Sequence, residues 1–276
     1  MTEAARTWLY APGDRPDRCL KALSTEADQV IWDLEDAVKA DAKLAARSTL
    51  ADLLVGDLLR VPWIRINDLG TIWGIDDLKR LAEKFGDRPA RFVVPKATRA
   101  VTQEIAHLGL SAQWLFIVET AQGMADLLDM SRPWPTSGAA RLAFGALDYR
   151  NDVGSRETPG EDELSWPRSV LVLASKVWGW APPIDAVFPH MEDDAGLQTS
   201  TARARALGMA GKMIIHPRQI RSVHRAYIPT EEEVSWARDV VAGAEHQGAF
   251  QIRGMMVDRP VVERARQILA EQEGSI

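Results

Sequence analysis

Apolar residues along this chain fall into short dense runs, separated by longer segments in which they recur every three to four positions. The runs cover residues 7–11, 29–33, 63–66, 91–95, 114–118, 141–144, 186–188 and 212–215, and most are rich in Val, Ile, Leu, Phe or Trp. They lack clean apolar–polar alternation, as expected of strands covered on both faces. The segments between them, among them 44–54, 75–85, 124–130, 165–178 and 199–207, carry helical spacing. Eight such units in succession predict an α/β chain folded as a (β/α)8 TIM barrel. A doubly wound sheet would need a topological switch and usually fewer strands. Residues 131–138 (SRPWPTSG) and 157–162 read as loops, the second polar enough for a mobile flap. After the eighth run comes a T-E-E-E helix start at Thr230, then a Gly-bounded segment over 248–254 and a last helix from Pro260. The expected organisation is a catalytic barrel over 1–228 and a C-terminal helical extension over 229–276.

Composition narrows the function classes. The chain has 276 residues, 46% of them hydrophobic, enough for one large barrel or two small domains. Its 33 basic and 39 acidic residues give a net charge of -6. That balance argues against sequence-independent nucleic-acid binding, while leaving room for a local basic patch facing a phosphorylated cofactor. The single cysteine, Cys19, precludes an intramolecular disulfide and reads as a packed small hydrophobe. Residues 1–6 have no apolar core of a signal peptide, and no apolar run reaches the roughly 18 residues of a membrane span. A soluble cytoplasmic protein is expected.

Barrel enzymes carry their reacting groups at the C-terminal ends of the strands. The second run ends in Asp33, Glu35 and Asp36, the third carries Arg65 and Asn67, and the fourth ends in Pro95–Lys96. The fifth ends in Glu119 and the sixth leads to Asp148. Glu119 and Asp148 follow consecutive strands, so their carboxylates can meet. Two carboxylates are too few for a Ca2+ cage but suit Mg2+, which keeps waters and takes substrate oxygens as further ligands. The competing reading pairs each acid with a nearby Lys or Arg. Arg65 inside an apolar run needs a partner. It either bridges to Asp33, Glu35 or Asp36, or stabilises a developing alkoxide or enolate, and the two roles are compatible. His216 before Pro217 suits a structural turn, and no His pair has helical zinc-ligand spacing. Neither a P-loop nor a G-x-S-x-G elbow is present. Trp32, Trp63 and Trp114 read as core.

An ordered set of motifs runs through the chain: L-Y-A-P-G-D-R-P-D-R (9–18), D-L-E-D-A-V (33–38), R-I-N (65–67), V-P-K-A (94–97), E-T-A-Q-G (119–123), F-G-A-L-D-Y (144–149), G-K-M-I-I-H-P-R-Q-I (211–220) and G-M-M-V-D-R-P (254–260). Each piece alone is weak; together and in this order they resemble the citrate lyase beta-subunit-like family (HpcH/HpaI aldolase/citrate lyase type), which includes malyl-CoA and citramalyl-CoA lyases. The resemblance implies a Mg2+-dependent carbon–carbon lyase that cleaves or forms a short 3-hydroxyacyl-CoA ester, releasing a keto acid and an acyl-CoA. It implies Mg2+ on Glu119 and Asp148, with Arg65 at the keto-acid oxygen. The backbone of Gly145, Ala146 and Leu147 would receive the substrate carboxylate. It further implies a homotrimer or hexamer in which Asp258 acts as an acid in a neighbouring subunit; an N-cap for the last helix is the structural alternative. Glu35 and Asp36 join Arg65 and Asp258 as catalytic candidates. Arg15, Arg18 and Lys96 are candidates for the phosphates of CoA. One departure stands out: Pro189 and His190 replace the apolar residue and aspartate usual after the seventh strand. The alternatives are a Mg2+-dependent aldolase on free hydroxy-keto acids, a citrate lyase subunit acting on an acyl-carrier-protein-bound group, and a non-catalytic binder of CoA or acids.

Overall fold

The computed structural model describes residues 5–244, 250–252 and 254–273. Eight parallel strands close into a barrel in sequence order: β1 (Thr7–Pro12), β2 (Gln29–Asp33), β3 (Trp63–Arg65), β4 (Arg91–Val94), β5 (Gln113–Val118), β6 (Ala140–Phe144), β7 (Ala181–Asp185) and β8 (Gly211–Ile214). Closure leaves no open edge, because β1 pairs with both β2 and β8. Between and after the strands run α1 (Pro16–Leu23), α2 (Lys43–Leu54), α3 (Gly74–Ala82), α4 (Arg99–His107), α5 (Ala121–Leu128), α6 (Ala146–Val153), α7 (Ser165–Val177), α8 (Asp194–Ala206) and α9 (Gln219–Tyr227). The chain is therefore the expected (β/α)8 barrel.

Burial on both faces explains the absence of alternation in the strand sequences. One set of strand residues, including Trp8, Ile31, Trp63, Val93, Leu115, Ile117, Ala143, Ile184 and Met213, fills the barrel interior. The other set is equally buried beneath the helices, among it Trp32, Phe92, Trp114 and Phe116. Phe92, Trp114 and Phe116 continue as a stack of rings to Trp180. The tryptophans read as core are core.

The seventh strand lies at Ala181–Asp185 rather than at the expected 186–188. Pro182 and Pro183 disguise it, because proline withholds ladder N–H groups and is rare inside strands. The β6–β7 register shifts between Arg141 and Ala143 where those prolines fall. Residues 186–188 instead run on past the strand end, and Ala186 and Val187 line the mouth. Asp185 turns outward to a buried ionic cluster with Arg168 (2.8 Å) and Lys212 (2.6 Å). Arg168 also holds Glu161 at 2.8 Å, which ties the loop expected to be a flap to the barrel wall.

A second compact unit begins at His224, inside α9 and slightly before the expected boundary at 228/229. It comprises α10 (Glu231–Ala244), a hairpin of β9 (Phe250–Ile252) and β10 (Met255–Val257), and α11 (Arg259–Glu273). Val234, Ala237, Val240, Val257, Ala265 and Ile268 form its own core. The cap anticipated at Thr230 is reciprocal. The Glu233 N–H donates to Thr230 Oγ1 (3.1 Å) and the Thr230 N–H to Glu233 Oε2 (2.8 Å). Residues 248, 249 and 253 of the Gly-bounded segment lie outside the described residues.

Candidate active site

The site is built outward from Asp33, the last residue of β2. Asp33 is buried, and its two oxygens accept the N–H groups of Glu35 (2.8 Å) and Ala37 (3.1 Å), which shape the turn leaving the strand. The same oxygens receive Arg65 from the end of β3, Nε to Oδ1 and Nη2 to Oδ2, both at 2.7 Å. This is a bidentate fork that a lysine cannot reproduce. The remaining guanidinium nitrogen, Nη1, lies 2.9 Å from Glu35 Oε2 and 3.3 Å from Asp36 Oδ2. The guanidinium is centred 4.8 Å over the ring of Tyr10 from β1. Both roles foreseen for Arg65 are thus open to it: its partners are the three acids of the second strand, and they aim it at the barrel mouth.

Glu119 follows β5 and is buried. Its Oε1 accepts the N–H of Lys96 at 2.7 Å. Lys96 makes that bond from a left-handed backbone conformation (φ 46°), unusual for a residue with a Cβ. Gly145, which follows β6 and precedes α6, makes room for the carboxylate: a Cβ there would stand 2.2 Å from Glu119 Oε2. Asp148 follows in the first turn of α6. That turn also supplies N–H groups of the kind left without intrahelical acceptors, positioned to meet an anion. Glu119, Asp148, Asp33, Asp36, Arg65, Gly145, Ala146 and Leu147 all line one cavity of about 360 Å3.

The electrostatics of this cavity favour a cation. Burial pushes the Glu119 carboxyl up to about 8, and the charges of Glu35 and Asp148 add to the effect. Burial likewise lifts Glu35 to about 7, against the opposing pull of Arg65. Asp148 is raised by burial and by Asp36. Burial works against the charge of Arg65, yet Asp33 and its other acidic neighbours hold it well above its ordinary range. Among the described residues, no group of three or more His, Cys, Asp or Glu side chains converges on a metal position. Glu119 and Asp148 are a pair of hard oxygen donors facing a cavity with space for water and ligand oxygens. That donor set fits Mg2+ and does not fit zinc or a Ca2+ cage.

The remaining candidates are more dispersed. The Lys96 ammonium is engaged with Asp68 at 3.1 Å, on the loop after β3. Arg15 and Arg18 stand exposed at the start of α1, on the rim that follows β1, with Arg15 3.4 Å from Asp17. Asp258 belongs to the second unit, where its Oδ1 accepts the Val261 N–H at 3.4 Å as the helix cap. His216 accepts the Arg218 N–H at Nδ1 (3.1 Å), the structural turn anticipated for H-P. His190 is exposed, 3.3 Å from Glu157. Sequence reasoning passed over Tyr10, whose aromatic body beside A-P at a strand end is its one signal. It also passed over Ala186, Val187, Met213 and Ile215, which line the same cavity. Apolar residues at strand ends are indistinguishable in sequence from core.

Comparisons with known proteins agree with this geometry. The family model of the HpcH/HpaI aldolase/citrate lyase matches residues 6–217, and that of a C-C bond lyase of the TIM-barrel fold matches residues 168–273. A citrate lyase subunit beta-like protein of Mycobacterium tuberculosis is 37% identical, covering 98% of this chain and 96% of its own. A (3S)-malyl-CoA thioesterase of Cereibacter sphaeroides is 31% identical over 97% of this chain and 94% of its own. The crystal structure of protein CitE from Mycobacterium tuberculosis, in complex with magnesium, acetoacetate and coenzyme A, superposes with a TM-score of 0.84 at 33% identity, covering 98% of each chain.

Proposed function

The chain belongs to the HpcH/HpaI aldolase/citrate lyase family, and on that premise we propose that it is a Mg2+-dependent lyase of short 3-hydroxyacyl-CoA esters. The observation that carries the reading is the meeting of Glu119, Asp148 and Arg65 on one cavity at the C-terminal mouth of the barrel. The magnesium and coenzyme A bound by the CitE protein of Mycobacterium tuberculosis support the same cofactor and carrier here. Glu119 and Asp148 hold the metal, which when bound supplies positive charge beside the substrate's hydroxyl and carboxylate oxygens.

In the cleavage direction the hydroxyl loses its proton and its oxygen becomes the carbonyl of a keto acid. The carbon–carbon bond breaks, and its electron pair passes to the thioester as an enolate. Arg65, fixed by Asp33, stabilises the negative charge on the reacting oxygen without having to reorganise. Glu35 is the candidate base, because burial raises its carboxyl to about 7, where it can accept a proton near neutrality. The backbone of Gly145, Ala146 and Leu147 receives the carboxylate at the start of α6. Asp258 of a neighbouring copy donates the proton that converts the enolate to acyl-CoA, in a homotrimer or hexamer. Arg15 and Arg18 serve the phosphates of CoA from the rim, joined by Lys96 once its contact with Asp68 is exchanged.

The test is a screen in the condensation direction, with glyoxylate or pyruvate against acetyl-CoA and propionyl-CoA, with and without Mg2+. The expected result is 3-hydroxyacyl-CoA formation that ceases without the metal. Because one relative is named a malyl-CoA thioesterase, free CoA is measured alongside. Release of CoA with no carbon–carbon bond made or broken would replace lyase by thioester hydrolysis.

A further inference from the structure

We propose that the cavity wall built from the ends of β7 and β8 selects a keto acid carrying a small alkyl group where others carry a second carboxylate. This rests on the lyase reading above and narrows its substrate class.

The barrel mouth is chemically divided. The carboxylates and the guanidinium lining it come from the ends of β2, β3 and β5 and the start of α6, whereas β7 and β8 contribute Ala186, Val187, Met213 and Ile215, with the Tyr10 hydroxyl of β1, among the described residues, the one polar group against that wall. This apolar wall is held in place. Val187 packs on the interior cluster that includes Ile184 and Met213, and the Tyr10 hydroxyl donates to Met213 Sδ at 3.2 Å. Ile215 is 41% exposed, a large apolar side chain at the mouth. Among the described residues, Arg65 is the only cation lining the cavity, and Asp33, Glu35 and Asp36 already surround it.

A keto acid with one carboxylate satisfies its oxygens within the ionisable sector. A second carboxylate would lie against the β7–β8 wall, partly stripped of water and with no cation to pair it. A methyl group at the same position removes apolar surface from water. A site built this way rejects the extra charge more strongly than it rewards the methyl, because even a half-buried charge without a partner costs more than one methylene gains.

Pyruvate and freshly dissolved oxaloacetate are the probes, compared in turnover with acetyl-CoA and, separately, in calorimetric binding with saturating Mg2+ and no CoA. The wild-type protein is expected to favour pyruvate at least tenfold in both readouts. Ile215→Arg, at a half-exposed position, adds a cation to the wall and is expected to lower the pyruvate-to-oxaloacetate ratio at least tenfold. Ile215→Lys serves as a second route should the first variant fold poorly, and Ile215→Val should keep the wild-type preference. Equal use of the two acids by the wild type, or a ratio that neither cationic variant moves, would overturn the inference. Should no product form with either acid while the binding preference and its reversal persist, the lyase reading fails and the selective wall stands.

Discussion

Replacing Arg65 with lysine separates the charge of this residue from its shape. The guanidinium makes two 2.7 Å hydrogen bonds to Asp33 and lies 2.9 Å from Glu35, so three contacts converge on one planar group. An ammonium at the end of a lysine chain can satisfy one of them well. At least one charge-assisted bond to a buried carboxylate is lost, costing about 1.5–3 kcal/mol of stability. The catalytic loss is separate. Withdrawing one preorganised stabiliser of a developing oxyanion slows turnover by about 10²–10³. Steady-state kinetics at saturating Mg2+ and acyl-CoA, paired with a thermal melt, measures both. The expected Arg65→Lys protein is folded, melts several degrees lower and loses at least two orders of magnitude in kcat. Near-wild-type turnover in a folded protein would refute the role given to Arg65, however well the ion pairs are formed.

Other consequences follow from the same geometry. Gly145→Ala places a Cβ 2.2 Å from Glu119 Oε2 and 2.5 Å from Glu119 Cβ, so the carboxylate must move. A Mg2+ affinity at least tenfold weaker is expected by calorimetry, with about 1–3 kcal/mol lost from stability, and unchanged affinity would contradict it. The Glu119 carboxyl titrates near 8 in the folded protein against an ordinary carboxylate value when unfolded. Between those values the folded state binds the extra proton, so this group makes the metal-free fold less stable as pH rises from about 4.5 to 8. Mg2+ needs the ionised form, so the rise in melting temperature it produces should be larger at pH 8 than at pH 6, and a rise independent of pH would count against Glu119 as a ligand.

Much of this architecture was legible because burial on two faces writes a strong pattern. Seven of the eight apolar runs fall on strands to within a residue or so, and the acids and arginine that follow them stand on one rim. The seventh strand escaped because Ala-Pro-Pro-Ile-Asp reads as a breaker, while the apolar residues just beyond it resembled a strand and prove to be lining. Glu119 and Asp148 were readable from their positions at the ends of consecutive runs. What they require from their surroundings was not. Nothing local marks Gly145 as the space for Glu119, or assigns Lys96 to Asp68, 28 positions earlier. Tyr10 beneath Arg65 is likewise a tertiary contact, made because β1 and β3 flank β2 in the sheet. Asp258 remains the residue whose proposed role depends on assembly, and a single chain shows only its helix-capping bond.

The most direct test of the central claim is calorimetric titration of Mg2+ into the wild-type protein and into Glu119→Gln and Asp148→Asn, with circular dichroism to confirm folding. Both substitutions keep the size of the side chain and remove its charge. One Mg2+ is expected to bind per wild-type chain, with at least a hundredfold weaker binding in each folded variant. Undiminished binding in either variant would show that the two carboxylates do not share a metal ion.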